Sequence, residues 1–304
     1  MIDRRLFLSA LAATPALACP GFGRATTTVR MTSAISRNMA ALEARSGGRL
    51  GVAALDTQTG AVFGHRADER FAMCSTFKML VAGLILSRVD RGQERLDRRI
   101  VYDKRVLITH SPVTEQHVGG GMTVGALCEA TVTQSDNAAA NLLLDTFGGA
   151  AAVTAFARTL GDKVTRLDRR EPELNVVKPG ETHDTTSPNA MLRSLRALTL
   201  GSALSPASRQ QLVAWLVGNQ TGDKRLRAGL PAGWRVGGKT GSWGDGKIGN
   251  TNDIAVIWPT ALAGVGRSPI LITAYLADAK VDDIQRNAVI AEVARGVVAA
   301  GFGR

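Results

Sequence analysis

The stretch Ser75-Thr76-Phe77-Lys78 places a serine and a lysine three residues apart at the start of an apolar segment. From Phe77 to Val89 most positions are apolar, which predicts a helix that is buried on nearly every side. Positions i and i+3 share one face of a helix, so the Ser75 hydroxyl and the Lys78 amine are expected to meet. The stretch therefore predicts a nucleophile beside a base.

A serine next to a lysine is suited to nucleophilic catalysis. A serine hydroxyl is a poor nucleophile until a neighbouring group takes its proton. A lysine among apolar residues loses part of its preference for the charged form and can act as that base. Ser75, at the predicted helix start, would also feel the positive end of the helix dipole. Ser-x-x-Lys is nevertheless common by chance, and a lysine on a solvated face is the simpler interpretation of this stretch alone.

Residues 1–25 are predicted to be an export signal. Arg4 and Arg5 precede a short apolar run that ends near Ala18, which is typical of a twin-arginine signal. Cleavage after Ala18 and cleavage after Ala25 both fit the pattern, and Cys19 leaves a lipoprotein as an alternative. No later stretch has the length and apolarity of a membrane span. We expect a periplasmic protein.

Composition limits the classes of partner. The net charge is +11, aromatic residues make up 5% of the chain, and the basic residues are scattered. These features do not resemble a nucleic-acid-binding protein. A basic surface that attracts anionic small molecules or envelope polymers is the more economical interpretation. We expect a monomer that acts on a small molecule and needs no cofactor.

The cysteines and histidines point neither to a disulfide framework nor to a metal. After processing only Cys74 and Cys128 remain, both in apolar segments, which predicts two buried free thiols. The four histidines lack the spacing of metal ligands, which argues against a metal hydrolase. They are His65, His110, His117 and His183.

Hydrophobic patterning predicts strands at both ends of the chain. Residues 50–55 and 61–63 flank Asp56-Thr57-Gln58-Thr59-Gly60, which is typical of a hairpin. Further strands are expected over 235–242, 252–258 and 270–277, followed by a helix over 282–299. An earlier helix is predicted over 33–45. Antiparallel strands at both ends with helices between them favour an α+β fold.

The middle of the chain is helical in pattern. Thr123 and Asp136 each precede an apolar periodic segment, the second of which runs to Phe147. Ser187-Pro188 and Ser205-Pro206 are typical of an N-cap followed by a first-turn proline. We therefore expect residues 31–66 and 217–304 to form an α/β lobe, and residues 67–216 to form a helical lobe with the active site between the two.

Three further stretches are weak signals when taken singly. Ser135-Asp136-Asn137 lies where a loop enters a helix and fits an ordinary N-cap. Lys239-Thr240-Gly241 lies near the end of a predicted strand. The long irregular stretch from Arg169 to Asp184 fits an ordered loop, a class that is often functional. Their fixed order together with Ser-x-x-Lys forms one strong signal.

On these motifs the sequence resembles a class A serine β-lactamase, because Ser-x-x-Lys, Ser-Asp-Asn and Lys-Thr-Gly characterise that family and the penicillin-binding proteins. The resemblance extends over the mature chain and includes Gly121-Met122-Thr123-Val124 and Thr251-Asn252-Asp253-Ile254-Ala255. It implies that Ser75 is acylated, that Lys78 is its proton partner and that Ser135 relays a proton to the β-lactam nitrogen.

The resemblance also implies the residues that bind substrate. Asn137 would donate to the amide of the substrate side chain, and Lys239, Thr240, Gly241 and Ser242 would hold the substrate carboxylate along a strand edge. The backbone N–H groups of Ser75 and Ser242 would form an oxyanion hole.

Glu171 distinguishes the family from the penicillin-binding proteins, whose acyl-enzymes persist. With Asn175 it resembles the pair that holds and activates the hydrolytic water. Whether Lys78 or Glu171 takes the first proton stays open. Arg169 and Asp184 resemble the ion pair that closes this loop, and the Glu171-Pro172 bond resembles a cis peptide of the family.

The sequence departs from the family pattern in three places. No arginine stands near Asn250-Thr251-Asn252, and we expect Arg225 to supply the missing charge to the substrate carboxylate. The positions that would pair with Cys74 and Cys128 are Trp243 and Ala82, so neither family disulfide is expected. The segment 243–249 is expected to be longer than usual.

Related activities remain alternatives. A D-alanyl-D-alanine peptidase or a non-catalytic penicillin-binding sensor would share the serine and the lysines but would not require Glu171. A glutaminase or esterase on the same scaffold is a further alternative.

Overall fold

The computed structural model describes residues 24–178, 180–246, 248–260 and 267–303, with side chains from Ser33 onward. The predicted export signal lies outside these residues except for Arg24 and Ala25. In the described part of the chain there are eight α-helices: α1 Arg24–Ser46, α2 Lys78–Asp90, α3 Val124–Thr133, α4 Asn137–Leu144, α5 Gly149–Thr159, α6 Pro188–Thr199, α7 Pro206–Val217 and α8 Asp283–Ala299.

The main sheet has five described strands, which are β1 Arg49–Asp56, β2 Val62–His65, β7 Arg235–Gly244, β8 Gly249–Trp258 and β9 Ile270–Ala279, in the order β2-β1-β9-β8-β7. Every neighbouring pair is antiparallel. Four two-residue strands form two small ladders: β3 Phe71–Ala72 with β6 Thr185–Thr186, and β4 Arg99–Ile100 with β5 Met122–Thr123. The predicted α+β fold and hairpin are confirmed.

The sheet is buried on both faces, which explains why β8 has apolar side chains at consecutive positions. Ile254 and Val256 pack toward the helical part of the chain, whereas Ala255 and Ile257 pack toward α1 and α8. Each fully buried aliphatic side chain contributes about 1.5–3 kcal/mol through removal of apolar surface from water. The larger core joins the sheet to α2, so the two regions predicted as lobes share apolar packing. The boundaries predicted for these lobes stay a prediction.

Side-chain caps fix most helix starts where the sequence predicts them. Thr123, Ser187 and Ser205 each accept a backbone N–H three residues on, with proline following both serines. Asp282 and Gln285 form a capping box at α8. These caps satisfy N–H groups that have no partner within the helix.

Three elements differ from the predictions. The helix predicted over 136–147 ends at Leu144, and α5 follows without having been predicted. Its N-cap is Gly148, which has a φ of 94° and offers no capping side chain. The strands β7 and β8 extend beyond the predicted 242 and 252 to Gly244 and Gly249, which pair with each other. The greater length expected for the segment 243–249 stays a prediction.

No single described helix is long and apolar enough to cross a bilayer. The helices α4 and α5 meet the length and composition criteria only as a pair, which is bent by 82°.

Candidate active site

Ser75 lies in a 3-10 turn, Cys74–Phe77, that leads directly into α2. The expectation that Ser75 starts the α-helix is therefore wrong by one turn, and the α-helix begins at Lys78. Cys74 has a φ of 44°, which is unfavourable for a residue with a Cβ atom. The turn brings Ser75 Oγ within 3.0 Å of Lys78 Nζ, the contact predicted from the spacing of the two residues.

The Lys78 side chain is completely buried, and oxygen atoms surround its ammonium nitrogen. The acceptors within 3.0 Å are Ser75 Oγ, the Ser135 carbonyl, Asn137 Oδ1 and Glu171 Oε1. Burial lowers the pKa of Lys78 because the charged form loses its hydration, while the Glu171 carboxylate acts in the opposite direction. The neutral amine is therefore more accessible than in a solvated lysine.

Ser135 stands between two buried lysines. Lys239 Nζ donates to Ser135 Oγ at 2.9 Å, and Lys78 Nζ lies 3.5 Å from the same oxygen. Burial, followed by the positive charge of Lys78, puts the pKa of Lys239 well below its usual value. Ser135 itself has a φ of 59°, a conformation that is uncommon outside glycine. A hydroxyl between two amines can exchange a proton with either of them.

Asp136 anchors this stretch rather than facing the cleft. As the N-cap of α4 it accepts the N–H of Ala139 at 2.9 Å, and it also accepts the hydroxyl and backbone N–H of Thr114. The next residue, Asn137, donates from Nδ2 to the Thr109 carbonyl at 2.8 Å. The hydrogen bonds of Asp136 and Asn137 therefore fix the position of the Ser135-Asp136-Asn137 stretch.

Glu171 is 2% exposed and faces the nucleophile. Its Oε1 accepts the Ser75 hydroxyl at 3.3 Å, and its Oε2 accepts Asn175 Nδ2 at 2.6 Å. Asn141 holds the Glu171 backbone, with Nδ2 donating to the carbonyl and Oδ1 accepting the N–H. The bond between Glu171 and Pro172 is cis, as the resemblance implied.

The loop that carries Glu171 is closed by an ion pair. Arg169 Nε donates to Asp184 Oδ2 at 2.6 Å, and the Asp184 carboxylate is completely buried. Its other oxygen accepts the backbone N–H groups of Asp168 and Arg169 at 2.8 and 2.9 Å. This is the clasp predicted from the resemblance.

The edge strand β7 runs beside the nucleophile because Gly241 has no side chain. A Cβ atom at this position would lie 2.8 Å from the Met73 carbonyl oxygen and 3.1 Å from the Ser75 nitrogen. Only a glycine permits so close an approach of strand and turn. The neighbouring Thr240 hydroxyl forms a hydrogen bond with Thr221. The strand edge is thus fixed next to the Ser75 amide.

Arg225 is not a solvated surface arginine. Its Nε donates to Asn287 at 2.8 Å, and Nη1 donates to the carbonyls of Gly241 and Asn252 at 2.9 and 2.8 Å. Its Nη2 donates to Ser242 Oγ at 2.5 Å. Burial lowers the pKa of this guanidinium, but arginine keeps its charge at any physiological pH. Arg225 therefore supplies a fixed positive charge beside Ser242.

These groups line one cleft of about 730 Å³. The predicted residues in its wall are Ser75, Ser135, Asn137, Glu171, Asn175, Arg225, Thr240, Gly241 and Ser242. The side chains of Lys78 and Lys239 lie behind this wall and are completely buried. The structure brings all the predicted site residues together. A cavity of similar size beside Arg88 and Leu142 is separate from this constellation.

Sequence reasoning missed three residues of the site. Asn141 lies four positions after Asn137 on an apolar helix, and this shared face is a signal that could have identified it. Thr221 supports Thr240, and His110 lines the cleft with a φ of 62°. Neither of the last two carries a motif.

The two described cysteines, Cys74 and Cys128, are buried free thiols. Burial raises the pKa of Cys74 to about 12, which makes it a poor nucleophile at neutral pH. Within the ranges that the structure describes, no group of three or more His, Cys, Asp or Glu side chains could hold a metal ion.

Comparisons with known proteins agree on one family. The model of the beta-lactamase enzyme family matches residues 34–300. Beta-lactamase L2 of Stenotrophomonas maltophilia is 47% identical, over 97% of this chain and 98% of the relative. The carbapenem-hydrolyzing beta-lactamase KPC of Klebsiella oxytoca is 48% identical, over 87% and 88% of the two chains.

Solved structures give the same result. The class A beta-lactamase GNCA4, described as the last common ancestor of Gram-negative bacteria, matches with a TM-score of 0.84 and 64% identity, over 88% of this chain and 99% of that one. The putative class A beta-lactamase PenP from Rhodopseudomonas palustris matches with a TM-score of 0.84 and 58% identity, with the same coverage.

Proposed function

This chain belongs to the beta-lactamase enzyme family as a class A member that hydrolyses β-lactams, and we propose that it does so through an acyl-serine intermediate that Glu171 resolves. The activity confers resistance to these antibiotics. The observation that carries the proposal is the buried Glu171 carboxylate, 3.3 Å from Ser75 Oγ and 2.6 Å from Asn175.

Acylation begins with attack of Ser75 Oγ on the β-lactam carbonyl. Lys78 Nζ at 3.0 Å and Glu171 Oε1 at 3.3 Å both lie within reach of the hydroxyl proton. The depressed pKa of Lys78 supports the amine as a base, and the carboxylate remains the alternative. Either base would leave the proton within the same hydrogen-bonded cluster.

The developing oxyanion needs preorganised donors. We assign this role to the backbone N–H groups of Ser75 and Ser242, which belong to the turn and the edge strand that Gly241 allows to approach each other. Loss of one donor of this kind costs on the order of 3 kcal/mol in other hydrolases.

The substrate carboxylate would lie against a carboxylate wall made of Thr240, Ser242 and Arg225 at the cleft surface and of the buried Lys239 behind them. The two cations supply charge, and the hydroxyls supply directional hydrogen bonds. Asn137 would donate to the amide of the substrate side chain. As the ring opens, its nitrogen needs a proton, and Ser135 is suited to deliver it because its hydroxyl touches Lys239 at 2.9 Å.

Deacylation requires a water molecule that is held and deprotonated beside the ester. Glu171 can accept its proton, and Asn175 can orient it, because the two side chains form a hydrogen bond with each other at the cleft wall. This step separates hydrolysis from the persistent acylation expected of a peptidase or a penicillin sensor.

The test is the Glu171→Ala variant mixed with benzylpenicillin and followed by mass spectrometry. We expect the acyl-enzyme to accumulate while deacylation slows by about a thousandfold. Glu181→Ala is the matched control, since Glu181 is an acid of the same loop that does not line the cleft. A Glu171→Ala protein that turns over without accumulating adduct would contradict the mechanism. A stable adduct on the wild-type protein would instead favour the peptidase or sensor.

We further propose that residues 1–25 direct the protein to the periplasm. The paired arginines and the short apolar run support this, with lipid attachment at Cys19 as the alternative. Cell fractionation with Arg4→Lys and Arg5→Lys introduced together tests it, and undiminished periplasmic activity would contradict the twin-arginine route.

A further inference from the structure

Asp253 is a buried carboxyl that the proposed chemistry does not use. It lies on β8 directly opposite Thr240 and is 3% exposed. Its Oδ2 accepts the backbone N–H of Leu226 at 3.1 Å. Within the described residues its Oδ1 is buried without a hydrogen-bond partner. Such an orphaned oxygen is costly, so it calls for an explanation.

The missing partner is explained by a glycine on the facing strand. Side chains alternate along a strand, so Gly238 lies on the same face as Thr240 and is the diagonal neighbour of Asp253. A Cβ atom built on Gly238 would lie 3.5 Å from Asp253 Oδ1 and 3.0 Å from the Ile254 carbonyl oxygen, so a small side chain fits there after a shift of the strand by a few tenths of an ångström. A polar side chain at position 238 could reach this oxygen, and glycine cannot.

The backbone places Asp253 between two cations. Its Oδ2 binds the N–H of Leu226, the residue after Arg225, and Arg225 itself donates to the carbonyl of Asn252, the residue before Asp253. Lys239 precedes Thr240, which lies opposite Asp253. Arg225 stabilises the ionised form most strongly, followed by Lys239 on β7 and Arg227. Burial outweighs these attractions and raises the pKa of Asp253 to about 7. The charge of Asp253 in turn stabilises charged Arg225 and Lys239. The other titratable groups in this environment are Tyr275 on β9, Cys74, and Asp283 and Arg286 on α8.

We propose that Asp253 is a positioning residue that adjusts the positive charge of the wall formed by Arg225 and Lys239, and thereby the binding of the substrate carboxylate. The inference rests on the proposed function of that wall. When Asp253 is protonated, both cations act on the substrate without compensation. When it is ionised, its negative charge offsets part of theirs.

The protonation state of Asp253 determines the direction in which KM changes with pH. A carboxyl is neutral below its pKa and negative above it. The KM for an anionic β-lactam should therefore rise as the pH rises through the neutral range. Asp253 contacts none of the reacting groups, so this component of the pH profile belongs to KM and not to kcat.

The experiment measures kcat and KM from about pH 5.5 to 8.5 with benzylpenicillin and with its uncharged methyl ester. For the wild type we expect the KM of benzylpenicillin to rise about fivefold across this range, relative to that of the ester. For Asp253→Asn the KM should rise by a smaller factor than for the wild type, because only loss of charge on Lys239, whose pKa is also lowered by burial, then contributes. Gly238→Ser should move the rise to lower pH, because its hydroxyl would stabilise ionised Asp253.

Each outcome decides between alternatives. A KM profile that is unchanged by Asp253→Asn and by Gly238→Ser would overturn the inference, as would an equal pH dependence for the ester. Should Asp253→Asn fail to fold, the direction of the Gly238→Ser shift alone decides. Absence of benzylpenicillin hydrolysis by the wild type would overturn the proposed function itself.

Discussion

The Lys78 ammonium and the Glu171 carboxylate form an ion pair at 3.0 Å, with both side chains completely buried. Two buried charges are tolerated only while each compensates the other, because both have lost their hydration. The nucleophile Ser75 lies within hydrogen-bond distance of both. The pair therefore links the stability of the site to its chemistry.

Replacing Lys78 should separate its contribution to stability from its contribution to acylation. Lys78→Met leaves the Glu171 carboxylate buried without its cation, and we expect a loss of about 3–5 kcal/mol of unfolding free energy together with slow acylation. Lys78→Arg keeps a positive charge but cannot become neutral, so it should recover part of the stability without recovering acylation. Urea unfolding and stopped-flow acylation measure the two effects. Rapid acylation by Lys78→Arg would favour Glu171 as the base.

The two members of the Arg169–Asp184 ion pair should contribute unequally to the free energy of unfolding. Asp184→Ala removes the acceptor of two backbone N–H groups and of the Arg169 guanidinium, so we expect a loss of about 3 kcal/mol. Arg169→Ala leaves those backbone bonds in place but leaves the buried carboxylate without its cation, so it should cost less than Asp184→Ala, about 2 kcal/mol. Both variants should slow deacylation, since the loop positions Glu171.

Arg170→Ala is the control for the clasp, because the ion pair of Arg170 with Asp145 is half exposed on both sides. It should change the unfolding free energy by less than about 1 kcal/mol. Thermal unfolding and single-turnover kinetics provide the measurements. A larger loss from Arg169→Ala than from Asp184→Ala would contradict this account.

Gly241→Ala should impair catalysis more than folding. The added methyl group would meet the Met73 carbonyl oxygen at 2.8 Å and the Ser75 nitrogen at 3.1 Å. The strand would have to move away from the nucleophile, and we expect kcat/KM to fall about a hundredfold. Gly120→Ala is the control, since its Cβ would lie 4.0 Å from the nearest atom, the His117 carbonyl oxygen. Equal activity of the two variants would disprove the role assigned to Gly241.

Arg225→Ala should raise the KM for benzylpenicillin about tenfold and leave kcat much less affected, because the guanidinium lies beside Ser242 at the carboxylate wall. Arg225→Lys should recover only part of the loss, because an ammonium lacks the planar fork that joins Asn287, Gly241 and Ser242. Lys224→Ala, at an exposed neighbouring position, serves as the control. An unchanged KM for Arg225→Ala would refute the assignment.

Hydrophobic periodicity and helix-capping residues in the sequence were sufficient to predict much of the fold. The strands alternate or run apolar as buried strands must, and Ser187 and Ser205 cap their helices as predicted. The spacing of Ser75 and Lys78 predicted their contact even though the turn is 3-10 in form. The helix α5 was missed because it follows Gly148, which gives no N-cap signal.

The remaining features depend on contacts between distant segments. Arg225 is held by Asn287, which lies far along the chain, so no local pattern indicates its burial. The orphaned oxygen of Asp253 depends on the register that places it diagonally to Gly238. Asn141 holds the backbone of Glu171 across a gap of thirty residues. Local sequence periodicity cannot specify such long-range pairings.

The sheet order has a consequence for how the enzyme is made. The last strand, β9, pairs with β1 on one side and with β8 on the other, so a nascent chain that stops short of it leaves the two halves of the sheet unjoined. Long-range pairings of this kind form late and slowly. Resistance to the antibiotic therefore requires β9. A truncated product that lacks β9 would contain Ser75 and Lys239 without the joined sheet that places them next to each other.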